Sequence, residues 1–252
     1  MILPLGDDNR DRRRLPIVTW TFIAINVLVF AIFQKFGSDV EFTYAFSAVP
    51  EELLTGHDVV TNPTVYTDSL TGARYSIPGL QATPITVYIT LLTSMFMHGG
   101  WAHLLGNMLY LWIFGDNVED RIGRFRFVLF YLLCGVVATM AHVVTAKLLG
   151  NDLRVPMLGA SGAISGVLGA YLVLFPKRRV RVILLRIFTS VPAWVAVGLW
   201  FVFQLVSGLG LLGGSQDGVA YAAHIGGFVA GMAIVWLFLP RRETLHERGR
   251  SG

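Results

Sequence analysis

The chain has 252 residues, of which 54% are hydrophobic and only 14% charged, against roughly 25% charged in an ordinary soluble domain. With a mean hydropathy of +0.61, that composition excludes a disordered or ordinary soluble class and points to an integral membrane protein. The net charge of +4 comes from basic residues gathered beside apolar runs, a sign of topology and no argument for nucleic acid, and the single cysteine, Cys134, excludes an internal disulfide and a cysteine-cluster metal site.

Apolar runs near the length that crosses a bilayer occur around residues 17–36, 101–115 (with an apolar lead-in from Val87), 127–149, 159–175, 188–212 and 220–239. The expected fold class is therefore an all-α polytopic membrane protein, a bundle of six transmembrane helices. Residues 1–16 are expected to be a polar cytoplasmic tail, 17–239 the six-span core, and 240–252 a second cytoplasmic tail. Basic residues collect on the cytoplasmic side of short loops. Here Arg10, Arg12, Arg13 and Arg14 precede the first span, and Arg121, Arg124 and Arg126 follow the second. Lys177, Arg178, Arg179, Arg181 and Arg186 follow the fourth, and Arg241, Arg242, Arg248 and Arg250 the sixth. Sixteen of the 20 lysines and arginines thus fall on one side, which places both termini in the cytoplasm of a multi-pass protein of the plasma or inner membrane.

The first span is expected to be retained, since no small-residue cleavage site follows Phe30-Ala31-Ile32-Phe33. A long outer connection, residues 37–84, follows it. The apolar and aromatic residues there (Phe42, Tyr44, Phe46, Val49, Leu53, Leu54) suggest that part of it lies in the interface. The second span opens Trp101-Ala102-His103-Leu104-Leu105-Gly106-Asn107, in which His103 and Asn107 are four apart and share a helix face. Such residues inside a span are costly unless they line a wet cavity or meet other helices. Trp101 reads as an interfacial anchor, and Asp116 to Arg121 as a solvated cytoplasmic turn. In the third span His142 has no partner at helical spacing, and Cys134 reads as a small buried apolar residue.

The fourth span opens on Gly159-Ala160-Ser161-Gly162-Ala163-Ile164-Ser165-Gly166. Small residues at four-residue spacing, Ser161-Ser165-Gly169 and Gly162-Gly166-Ala170, are also what close helix packing uses, so this stretch alone does not separate packing from chemistry. The fifth span, with Pro192, Trp194, Trp200 and Gln204, reads as a lipid-facing or gating helix without chemistry of its own. In the sixth, Ala223, Gly227 and Gly231 form a small-residue face beside His224.

With the charge-derived topology, the second, fourth and sixth spans all enter from the outer side. His103 with Asn107, Ser161, and His224 then share a depth of roughly 10 Å at 1.5 Å rise per residue. A serine and a histidine on close-packing helices can form an activated nucleophile. Asn107, His103 and the Ser161 backbone N–H at a helix start can stabilise an oxyanion. No Asp or Glu lies at matching depth, so a Ser-His dyad is expected and not a triad.

On three motifs taken together, the sequence resembles the rhomboid intramembrane serine proteases: Gly159-Ala160-Ser161-Gly162; His103 to Asn107 with His98 before them; and Ala223, His224, Gly227 and Gly231. The resemblance covers nearly the whole chain. It implies Ser161 as nucleophile, His224 as general base, and His103 with Asn107 at the oxyanion. It also implies membrane-protein substrates cut at or near a transmembrane segment. No cofactor, metal or nucleic acid is implied, and the sequence leaves the oligomeric state open. Two departures stand out. Ile89 and Thr90 occupy the place of the Trp-Arg pair many members carry in the first outer loop, and Ser165 stands where some have an aromatic ring against the base. The rival readings are a client-binding member without activity, which would lack the serine or histidine, and a transporter using His98, His103, His142 and His224, for which acidic residues within the spans are missing.

Overall fold

The computed structural model describes residues 2–67, 74–184, 187–209 and 220–240. Arg186, residues 210–219, where the fifth span was expected to end, and the expected tail at 241–252 with its four arginines lie outside the described residues. The chain opens with strand β1 (Ile2–Asp7) and helix α1 (Ile17–Leu28), which runs on through a π-helical turn at Val29–Phe33. The connection over residues 37–84 holds α2 (Val40–Ala45), α3 (Pro50–Thr55) and the hairpin β2 (Thr64–Thr67) and β3 (Arg74–Ile77), and the single turn α4 (Thr90–Thr93) follows it. Next come α5 (Trp101–Tyr110), a π-helical turn at Leu111–Gly115, α6 (Asp116–Ile122) and α7 (Arg124–Leu149). The chain continues with α8 (Ser161–Leu174), the hairpin β4 (Arg179–Leu184) and β5 (Ile187–Pro192), α9 (Ala193–Gly208) and α10 (Tyr221–Phe238). Among the described residues, α7 and α10 are each long and apolar enough to cross a membrane.

The protein is a helical membrane protein, but the all-α expectation needs correction. Strands β1, β4 and β5 form an antiparallel sheet in the order β1-β4-β5, with Leu3 opposite Ile183, Pro4 opposite Val182 and Asp7 opposite Val180. The alternation in Arg179-Val180-Arg181-Val182 explains β4. Val180 and Val182 are buried while Arg179 and Arg181 turn away from the core, the period-two pattern of a half-buried strand. The supposed polar tail therefore contributes an edge strand. The expected fifth span begins five residues late, at Ala193, because residues 187–192 are strand and Pro192, held extended with φ −61° and ψ 150°, precedes the helix.

The expected solvated turn at 116–121 is also corrected. It is helix α6, and Asp116, Asn117 and Glu119 are all buried. Buried carboxylates need partners, and the N-terminal segment supplies them. Arg12 pairs with Asp116 at 2.6 Å, and Asp7 Oδ2 accepts from Asn117 Nδ2 at 2.8 Å and from the Tyr171 hydroxyl at 2.5 Å. Arg178 bonds Asp11 at 2.5 Å and also bonds Asn117.

In the bundle α8 is held between α7 and α10. Lipid gives helices no hydrophobic reason to associate, so contact area and close approach must do so. A Cβ at Gly231 would overlap the carbonyl oxygen of Gly166, one at Gly227 that of Gly162, and one at Gly169 that of Phe228. The small-residue faces of α8 and α10 are thus pressed backbone to backbone. Away from this seam the core is aromatic: Phe22 stacks on Tyr131 with centroids 4.5 Å apart, and Phe114 meets Tyr171 edge-on at 4.9 Å.

Candidate active site

Ser161 is the first residue of α8 and His224 lies in the first turn of α10, each half-buried. The glycine contacts between the two helices bring the side chains together: Ser161 Oγ and His224 Nε2 are 2.8 Å apart. Just before Ser161 the backbone turns through Gly159 with φ +120°, a left-handed conformation that favours glycine. A side chain there would also collide with His103, whose Nε2 stands 2.6 Å from where a Cβ would be. The Gly159 N–H donates to Ser94 O at 2.8 Å, which fixes the turn.

His103 and Asn107, on α5, therefore lie against the loop that delivers the serine, with Asn107 Nδ2 3.7 Å from the same Cβ position. Asn107 is buried and donates one amide hydrogen to His98 Nε2 at 3.0 Å. His98 is fully buried, with its ring 5.1 Å from that of His103. Its backbone is clamped by Gln34, which accepts from His98 N at 3.0 Å and donates to His98 O at 2.8 Å. An amide nitrogen carries two hydrogens, so the second on Asn107 remains for the site.

The structure thus brings together Gly159, Ser161, His224, His103 and Asn107, with Gly162, Gly227 and Gly231 in the helix seam and Ala223 buried on α10. Ser165 stays out of the chemistry, buried and donating to Ser161 O at 2.6 Å. His142 is half-buried on α7 and has no hydrogen bond among the described residues. Thr90, in the place of the missing Trp-Arg pair, donates to Val87 O at 2.5 Å.

The sequence reading missed one contact. His224 Nδ1 lies 2.8 Å from Gln204 Oε1 on α9, the helix expected to carry no chemistry. No spacing rule relates a lone glutamine to a histidine twenty residues on; its only signal was an amide in an otherwise apolar span.

Chemically, an imidazole nitrogen at 2.8 Å from a hydroxyl can remove its proton as the oxygen attacks a carbonyl. The start of α8 supplies a backbone N–H and the positive end of a helix dipole where an oxyanion would form. The outer connection is tied to this loop. Ala48 and Met157 exchange backbone hydrogen bonds of 2.9 and 2.7 Å, and Arg154 pairs with Glu51 at 2.6 Å.

The Rhomboid domain matches residues 86–241. "Rhomboid protein 1, mitochondrial" of Saccharomyces cerevisiae is 36% identical over 171 residues, 67% of this chain and 47% of that protein. "Rhomboid protease GluP" of Bacillus subtilis is 29% identical over 236 residues, 92% of this chain and 37% of that protein. "Presenilin-associated rhomboid-like protein, mitochondrial" of Homo sapiens is 28% identical over 200 residues, 71% of this chain and 50% of that protein. The chain spans half or less of the length of these three relatives. With the family domain over more than half of its residues, and the family's serine, histidine and asparagine motifs at one site, the chain belongs to the rhomboid family.

Proposed function

We propose that the protein is an intramembrane serine endopeptidase that cuts transmembrane or membrane-anchored proteins near the outer membrane face. Ser161 is the nucleophile and His224 the general base. The observation that carries this reading is the 2.8 Å contact of His224 Nε2 with Ser161 Oγ. Nε2 takes the hydroxyl proton as Oγ attacks the scissile carbonyl, and the resulting imidazolium returns that proton to the leaving amine. The Ser161 N–H, the free Asn107 amide hydrogen and His103 surround the developing oxyanion. Water then hydrolyses the acyl-enzyme by the same proton path in reverse.

In this reading residues 17–239 cross the membrane six times and both ends lie in the cytoplasm of a plasma or inner membrane, supported by the one-sided distribution of basic residues. Two of the relatives are named as mitochondrial.

The test is labelling of the purified full chain by a fluorophosphonate probe, with the adduct located by mass spectrometry. Labelling at Ser161, absent in Ser161→Ala, together with loss of cleavage of a transmembrane reporter in that variant, supports the assignment. Labelling that survives Ser161→Ala, or none in the parent, rejects it.

A further inference from the structure

We infer that Gln204 is a positioning residue for His224, holding the imidazole in the one tautomer that can serve as base. The inference rests on the Ser161–His224 reading above and adds a third member on a different helix. For Nε2 to accept the serine proton, the neutral ring must carry its hydrogen on Nδ1, and that hydrogen needs an acceptor. Gln204 Oε1, 2.8 Å from Nδ1, provides one. With the amide reversed, its NH2 would donate to Nδ1 and force the hydrogen onto Nε2, leaving the serine without a base. The working tautomer therefore selects the amide orientation as well.

The placement of Gln204 argues that the contact matters. Its neighbours Val202 and Phe203 are 51% and 53% exposed, while Gln204 is 7% exposed on the same helix. A carboxamide turned inward from an apolar helix is costly unless it is paired. Two further side chains lock α9 against α10 around it. The Phe201 ring stacks on Phe228 at 4.3 Å, and the Trp200 ring lies 6.3 Å from that of His224. These contacts hold α9 beside the histidine, and the amide fixes the proton. Because glutamine is uncharged, it orients the imidazolium without neutralising it, which a carboxylate in its place would do.

The titratable groups around His224 are His103 from α5, His142 from α7 and Tyr221 from its own helix. Among the described residues no carboxylate faces it, and Gln204→Glu places one against Nδ1. The experiment measures kcat and KM against pH for the parent, Gln204→Glu and the near-isosteric Gln204→Met. Thermal midpoints identify folded samples, and 15N spectra of the His224 ring are recorded for each. The full contribution of a general base is on the order of 10²–10⁴.

Gln204→Met should lose at least about tenfold in kcat with little change in KM, and its ring should show a mixture of tautomers in place of Nδ1–H alone. Gln204→Glu should move the acid limb of the rate profile to higher pH, because the base must then lose a proton that a carboxylate holds. A parent ring without the Nδ1–H form, or a limb in Gln204→Glu that stays in place while rates merely fall, overturns the inference. If the parent is not labelled by the fluorophosphonate, the protease reading fails by itself, and the 15N spectra still decide whether Gln204 sets the tautomer.

Discussion

At the scale of single residues, Asn107 does two things at once. One amide hydrogen goes to His98 Nε2 at 3.0 Å, and the same nitrogen, 3.7 Å from where a Gly159 Cβ would be, keeps a second hydrogen for the site. Asn107→Ala should reduce turnover on the order of 10²–10³-fold, as for loss of one oxyanion donor, with the fold intact by thermal midpoint. Undiminished turnover would assign the oxyanion to other groups. Away from the site, burial pushes the Glu52 carboxyl in the outer connection up to about 7, offset in part by the Val59 N–H that donates to it and raised further by Asp58. Its pKa in the folded chain lies above the ordinary 4.5. The folded state therefore holds the proton more tightly, and stability present at low pH is lost as pH rises through about 7. The apparent melting temperature should fall from pH 5 to pH 8, and Glu52→Gln should flatten that fall. A parallel decline in both proteins would show that Glu52 ionises freely. Ser161 and His224 were legible in the sequence because their motifs carry fixed spacings. Gln204 was not, because its meaning comes from which helix packs against α10, and that is a tertiary fact.

At the scale of elements, the seam between α8 and α10 is where packing and chemistry are one problem. A side chain on Gly227 would meet the carbonyl oxygen of Gly162, and one on Gly231 that of Gly166; both obstacles are backbone and cannot swing aside. Overpacking of this kind typically costs about 1–3 kcal/mol, and a displacement near 1 Å at reacting atoms costs about 10²-fold in rate. Gly231→Ala should therefore lower the melting temperature. Gly227→Leu, about one helical turn nearer His224, should also lose most fluorophosphonate labelling. Labelling at the parental rate in Gly227→Leu would mean that the helices part without moving the histidine from the serine. This seam was legible, since four-residue spacing of small residues is a local pattern. The sheet was harder to read. Ile2-Leu3-Pro4-Leu5 is too short and too interrupted by proline to signal a strand, and it forms one because β4 offers it an edge.

At the scale of the whole molecule, one end of the bundle carries the site and the other carries the polar ties between helices. Glu119 of α6 closes the start of α1, where Pro16 gives no side-chain cap. Its carboxylate accepts from Val18 N at 3.0 Å and from Thr19 N and Oγ1, each at 2.8 Å. Glu119 and Thr19 are both buried, so the donors have no water to fall back on, and each buried donor left without a partner costs about 1–3 kcal/mol. Glu119→Ala should accordingly be among the more destabilising surface-distant changes, on the order of 2–4 kcal/mol. Glu119→Gln, which keeps one acceptor oxygen, should fall between it and the parent. Along α8, Ser161 stands roughly 15 Å from Tyr171, the rise of ten residues at 1.5 Å each, and it is the Tyr171 end that reaches α6, through Asp7 and Asn117. Rigid helices carry little of a local loss over that distance while the bundle stays folded. Below the melting range, then, fluorophosphonate labelling of Glu119→Ala should proceed at the parental rate within about twofold, while its thermal midpoint drops by several degrees. A parental midpoint would show that α1 is held by packing alone, and slowed labelling in folded protein would mean that these polar ties help set the distance between Ser161 and His224.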